Sequence, residues 1–177
     1  FIAIALWLVV RAFPIGGAGS ELERAAAALK SNDYPLALER FSPLADRGDT
    51  RAQFALGVLY SGGKGLPADH AKAAKLFEQS ARSGMKDAQQ NIGLAYLHGR
   101  GVSKDEAKAR QWFQKAAAQG VPEAQNNLGA LMHAGLGGSQ QIDAARTWFL
   151  KGAKRSTSRR SRSLVSSVHT SPRMLSR

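Results

Sequence analysis

The chain is expected to fold as an all-α solenoid of stacked antiparallel helix hairpins, and three observations carry that expectation. The first is a repeat of 36 residues: Phe41, Phe77, Phe113 and Phe149 keep that step, as do Ala37, Ala73, Ala109 and Ala145, and Ala45, Ala81, Ala117 and Ala153. A fixed period of about 20–50 residues is the signature of a repeat architecture, in which each unit buries its apolar face against the next. The second is helical periodicity inside the unit. Ala109, Trp112, Phe113, Ala116 and Ala117 fall at i, i+3, i+4, i+7 and i+8, which is one stripe of an α-helix, and Ala88, Ile92, Ala95 and Tyr96 make a second, earlier stripe. The third is glycine punctuation in the same register: Gly63/Gly65, Gly99/Gly101 and Gly135/Gly137 between the two helices of a unit, and Gly48, Gly84 and Gly120 after the second.

Taken in order, residues 1–10 (FIAIALWLVV) are continuously apolar and are followed by Arg11, Pro14 and a GGAGS run. Ten residues are half of the roughly 20 that span a bilayer. The segment 1–19 is therefore read as what remains of a secretory signal or a membrane anchor, the alternative being a helix packed on the solenoid. Residues 20–154 hold the repeats. An atypical first hairpin over 20–47 joins an Ala-rich helix to a helix from Tyr34 to Asp46 through Ser31-Asn32-Asp33, without the Gly-rich loop. Fuller hairpins follow over 50–83, 86–119 and 122–154. Asp49 and Thr50 are expected N-caps. Ser103 with Glu106 has capping-box spacing. Pro122 suits a first helical turn, where its missing N–H is no loss. A glycine inside a helix costs about 1 kcal/mol against alanine when exposed. Gly57, Gly93 and Gly129 nevertheless recur there, so a neighbouring helix backbone is expected to approach too closely for a Cβ. The third inter-helix loop, AGLGGSQQ, departs from GxGV and predicts a looser turn. Past Lys154 the columns stop. Residues 155–177 form a Ser/Arg-rich tail expected to lack packed structure, with a weak capping helix through Leu164 and Val168 as one alternative and nucleic-acid or membrane binding through the basic tail as another.

The columns A-x-x-x-[LI]-G-x-x-Y, G-x-G-V, and A-x-x-W-F-x-K-A-A followed by Gly, best seen over Asp87–Gly120, resemble the Sel-one-like repeat, a relative of the tetratricopeptide repeat. The resemblance covers roughly residues 20–154. It implies a right-handed, tetratricopeptide-like solenoid that serves as a non-catalytic protein-binding scaffold or adaptor, with a concave face built by the first helix of each unit. With the apolar run at residues 1–10 read as a signal or anchor, a place at or beyond a bacterial inner membrane is expected, periplasmic, secreted or membrane-anchored, with the cytoplasm as the alternative. Cysteine-rich relatives are associated with β-lactam hydrolysis, but this chain has no cysteine.

Composition narrows the remaining classes. The net charge is +12, yet residues 155–177 hold six arginines and no acid, so half the excess lies in the tail and a nucleic-acid role for the folded part does not follow from the overall pI. Zero cysteines exclude disulfides and thiolate metal sites. His70, His98, His133 and His169 lack metal-ligand spacing, and His98 and His133 sit near helix C-termini, where the dipole favours an imidazolium. Gly62-Gly63-Lys64-Gly65 hints at a phosphate loop, but Gly65 stands where Ser or Thr should follow the lysine and a helix precedes it. No catalytic residue, metal or cofactor is expected. Trp112/Phe113 and Trp148/Phe149 are read as core, with base stacking as the alternative; Phe41, Gly57, Phe77, Gly93, Tyr96 and Gly129 complete that core.

A partner, an unidentified protein or peptide, would meet the first helices. With the helical glycine as reference, the face-lining columns are Arg51, Asp87 and Glu123; Phe54, Gln90 and Asn126; Val58, Leu94 and Ala130; and Ser61, Leu97 and His133. These columns change chemistry from copy to copy while the packing columns barely vary. Gln90 and Asn126 are suited to hold the backbone of an extended peptide.

Overall fold

A computed structural model describes residues 20–153. The signal or anchor reading of 1–19 and the tail reading of 155–177 lie outside the described residues. Within them the chain is helical throughout, with no strand. The order is α1 (Glu21–Lys30), α2 (Tyr34–Asp46), α3 (Thr50–Gly62), α4 (His70–Arg82), α5 (Lys86–His98), α6 (Glu106–Ala118), α7 (Pro122–Ala134) and α8 (142–153). From α1 to α7, each helix packs mainly on its neighbours in the chain. This is the single-file contact pattern of a solenoid. Among the described residues, no helix is long and apolar enough to cross a membrane.

The repeated columns are the core. Ala37, Ala73, Ala109 and Ala145 are 0–2% exposed, so they mark the closest helix contacts. Phe41 and Phe113 are fully buried and Phe77 nearly so. The helical glycines have a different cause from the one expected: an aromatic ring, not a helix backbone, occupies the space. A Cβ on Gly57 would stand 2.7 Å from the Phe77 ring, and one on Gly93 would stand 2.7 Å from the Phe113 ring. In the three fuller hairpins, the ring from the second helix fills the notch that glycine leaves in the first. Gly129 receives Phe149 in the same way at 3.0 Å, but Phe149 remains 39% exposed. Trp112 and Trp148 are half-buried at the edge of the core rather than within it.

The loops inside the hairpins follow one path. Gly63, Gly99 and Gly135 end α3, α5 and α7 in the left-handed region at φ 60, 67 and 70°, a conformation that costs a side-chain-bearing residue strain. The expected loosening of the third loop does not occur. Leu136 N–H donates to Leu131 O at 2.9 Å, as Arg100 N–H does to Ala95 O in the copy before, and Arg110 reaches across from the preceding hairpin to Ser139 O (3.1 Å) and Gln141 Oε1 (3.0 Å). Two contacts fasten one hairpin to the next. Gln53, Gln89 and Gln125, a column 36 apart, each donate from Nε2 to the last turn of the preceding second helix, at Ala45 O, Ala81 O and Ala117 O (3.3, 3.2 and 3.1 Å). The second loop glycines, Gly65, Gly101 and Gly137, sit against the first turn of that same helix.

Asp49 caps α3 as expected, but Ser103 does not cap α6. The helix starts at Glu106 with Asp105 as N-cap, and Glu106 turns instead to Lys104 at 2.9 Å. The carboxylate next to the first turn displaces the more distant hydroxyl. Asp105 accepts the Lys108 N–H at 2.9 Å; this bond, reinforced by the Lys108 ammonium at 3.3 Å, holds its carboxyl below the ordinary carboxylate value against the opposing cost of desolvation. A depressed acid stabilises the fold above its unfolded pKa, and that contribution disappears as the pH falls through the lower folded value. Asp105→Asn, which keeps an acceptor at the cap, is expected to match the wild type in acid, where Asp105 is protonated, and to fall below it at neutral pH. Thermal melts of both proteins across the acid range check this, and parallel curves would contradict it.

Candidate functional site

The open surface of the first helices is built by a simple rule. A helix apolar on every side is buried, and one with a polar stripe keeps that stripe in water. In α3 every residue from Ala52 to Leu59 is buried. In α5, Asp87, Gln90, Asn91, Leu94 and Leu97 are half-buried, and in α7, Glu123, Asn126, Ala130 and His133 are exposed. The accessible stripe therefore begins at α5 and widens into α7.

Two of the expected face residues are core. Phe54 is 1% exposed, its ring 5.9 Å from that of Phe77, and Val58 is 4% exposed. Arg51 and Ser61, at the two ends of α3, are exposed but are separated by that buried run. Asp87, Gln90, Leu94 and Leu97 share one stripe on α5, and Glu123, Asn126, Ala130 and His133 share the equivalent stripe on α7. Leu94 and Leu97 lean on the core while keeping an accessible edge. The column analysis missed Asn91 and Asn127, which lie half-buried beside the same stripes. Asn91 spends its amide on Asp87 O at 2.8 Å. Their signal was available: position 55 is alanine and its two successors are asparagine. Gln90, like the linking Gln125, has a buried Oε1 with no hydrogen-bond partner among the described residues, an acceptor that gains by meeting a donor.

The remaining candidates do not assemble into chemistry. Among the described residues no three His, Asp or Glu side chains group as metal ligands. His98 and His133 are exposed in the last turns of α5 and α7. Gly62–Gly65 is a hairpin turn: Gly63 caps α3, and Gly65 lies on Tyr34 and Pro35 of the preceding hairpin.

The Sel1 repeat model matches residues 50–85, 86–121 and 122–156, well over half of the chain. The fold is similar to that of c5321, a protective antigen present in uropathogenic Escherichia coli strains that displays an SLR fold (TM-score 0.74, 32% identity over 85% of this chain). It is also similar to a Sel1 repeat protein from Oxalobacter formigenes (TM-score 0.72, 27% identity over 77% of this chain). The chain spans 33% of the length of the first and 54% of the second. No curated protein matches it significantly. Sel1 repeats are in general a scaffold for protein–protein contact and typically carry no catalytic site. By three consecutive repeats and by its helical solenoid, the chain belongs to the Sel1 repeat family.

Proposed function

We propose that the protein is a non-catalytic adaptor that holds an extended segment of a partner protein along the first-helix stripe of its second and third full repeats. The observation that carries this reading is the contrast between columns. Phe, Gly and Ala recur unchanged where the hairpins pack, while the accessible positions differ in every copy, as in Ser61, Leu97 and His133. A shared frame with a divergent open stripe is what recognition of one particular guest requires. Gln90 and Asn126 supply amide donors and acceptors to a peptide backbone, and Leu94 and Leu97, further along the Gln90 stripe, supply an apolar floor.

The reading is tested by panning a random-peptide display library on the full chain and titrating the enriched peptides against wild type and the Gln90→Ala/Asn126→Ala double variant. The two lost hydrogen-bonding side chains are expected to weaken binding about tenfold, with the melting curve unchanged. Peptides that bind both proteins equally would place the site elsewhere.

A further inference from the structure

The solenoid sorts its charge between its two sets of helices. On the first helices α3, α5 and α7, Arg51 and Lys86 balance Asp87 and Glu123. The second helices are basic. α4 carries Lys72, Lys75 and Arg82 against Glu78; α6 carries Lys108, Arg110 and Lys115 against Glu106; α8 carries Arg146 and Lys151 against Asp143. Spacing gathers much of this charge on one stripe. Lys72, Lys75, Gln79 and Arg82 fall at i, i+3, i+7 and i+10 and are all exposed; Lys108, Gln111, Lys115 and Ala118 repeat the stripe 36 residues later, again all exposed; and Thr147 and Lys151 continue it on α8. No acid stands on this stripe. Arg82 and Lys108 are shared with Glu78 (2.8 Å) and Asp105 (3.3 Å), but no described carboxylate makes an ion pair with Lys75, Lys115 or Lys151. The ammonium groups of Lys115 and Lys151 lie over the half-buried rings of Trp112 and Trp148, 4.3 and 4.4 Å from the centroids.

We propose that this second-helix face docks on a bilayer containing anionic lipid, leaving the neutral first-helix stripe turned towards solvent. An acid-free stripe with at least one basic residue on each of three successive second helices is complementary to a laterally uniform negative surface. The paired Trp and Lys side chains, apolar at the body and charged at the tip, suit a lipid–water boundary. Single-stranded nucleic acid fits less well. Its sequence-tolerant binding relies on free aromatic faces for base stacking, and here a lysine covers each tryptophan. The apolar run 1–10 and the six arginines of 155–177 supply, in sequence, the second attachment that durable membrane association requires. This inference is independent of the peptide-binding reading, since it concerns the other set of helices.

The test is cosedimentation of the full chain with vesicles of phosphatidylcholine alone or with about one-third phosphatidylserine, alongside the triple variant Lys75→Glu/Lys115→Glu/Lys151→Glu and a milder Lys75→Gln/Lys151→Gln variant. Both variants leave residues 1–19 and 155–177 intact. The wild type is expected to prefer anionic vesicles and to lose that preference in high salt. The triple variant is expected to partition at least tenfold more weakly, and the milder one to fall between, with far-ultraviolet circular dichroism unchanged. Equal binding of wild type to both vesicle types, salt-insensitive binding, or variants that partition like wild type would each overturn the proposal. So would a triple variant that loses affinity for a fluorescent polyuridine strand while keeping its affinity for vesicles.

Discussion

Phe113→Ala is expected to lower the unfolding free energy by about 3–5 kcal/mol, among the largest effects of any single truncation in the chain. The ring is fully buried, lies in the notch of Gly93, and is flanked by Ala109, Ala116 and Ala117 at 0–1% exposure. Its neighbours on the same helical stripe and in the notch are alanines and a glycine, too short to fill the space. Phe149→Ala is expected to cost clearly less, because its ring is 39% exposed and touches Gly129 more loosely. The same notch reverses the usual rule for helical glycine. Gly93→Ala should gain about 1 kcal/mol from helix propensity, but its methyl would fall 2.7 Å from a ring that cannot retreat, at an overpacking cost of about 1–3 kcal/mol, so a net loss is expected. Urea unfolding followed by circular dichroism, with limited proteolysis as a second probe because repeat arrays need not be two-state, checks the order of the three. Equal losses for Phe113→Ala and Phe149→Ala would show that burial of the ring is not what stabilises a hairpin.

The parts of this molecule that repeat were legible in the sequence. Phe, Gly and Ala columns persist because each residue meets the same neighbours in every copy, so periodicity alone locates the core, the turns and the helix ends. Phe54 and Val58 were misplaced because column position was used without the character of the whole helix. The run from Ala52 to Leu59 has Gln53 as its one polar member, and such a helix has no side to turn to water. The linking glutamines Gln53, Gln89 and Gln125 were overlooked for the opposite reason. They repeat as strictly as the phenylalanines, but a polar column is easily taken for surface until its buried bond to the preceding helix is seen. Ser103 was preferred to Asp105 as a cap because spacing to Glu106 was weighed without the position of the first helical turn. The reason for the helical glycines, a ring rather than a backbone, depends on which side chain fills a notch, and the sequence records only that a notch exists.

Gly101→Ala is expected to be more destabilising than Gly99→Ala, although the two glycines occupy nearly the same left-handed conformation, at φ +74 and +67°. Both substitutions bring the strain of a Cβ in that region, about 1–2 kcal/mol. They differ in what the new methyl meets. At Gly99 the nearest atoms belong to Lys104, at 3.4 Å, in the same loop. At Gly101 the methyl would overlap the backbone of His70 and Ala71, in the first turn of the preceding hairpin's second helix. The contact at Gly99 is an ordinary van der Waals distance that needs no movement, whereas the overlap at Gly101 is relieved only if a helix backbone moves and the two hairpins part. The excess over Gly99→Ala, about 1–3 kcal/mol, therefore measures the coupling between neighbouring repeats, the term that decides whether a solenoid unfolds as one body or from its ends. The substitution should also act locally. Hydrogen exchange is expected to rise in α4 and in the loop around Gly101, where the junction opens, before it rises in the α7–α8 hairpin. If Gly101→Ala and Gly99→Ala melt together, or if protection is lost evenly along the chain, the loop glycine is a turn residue alone and the hairpins are held by their helical faces and linking glutamines.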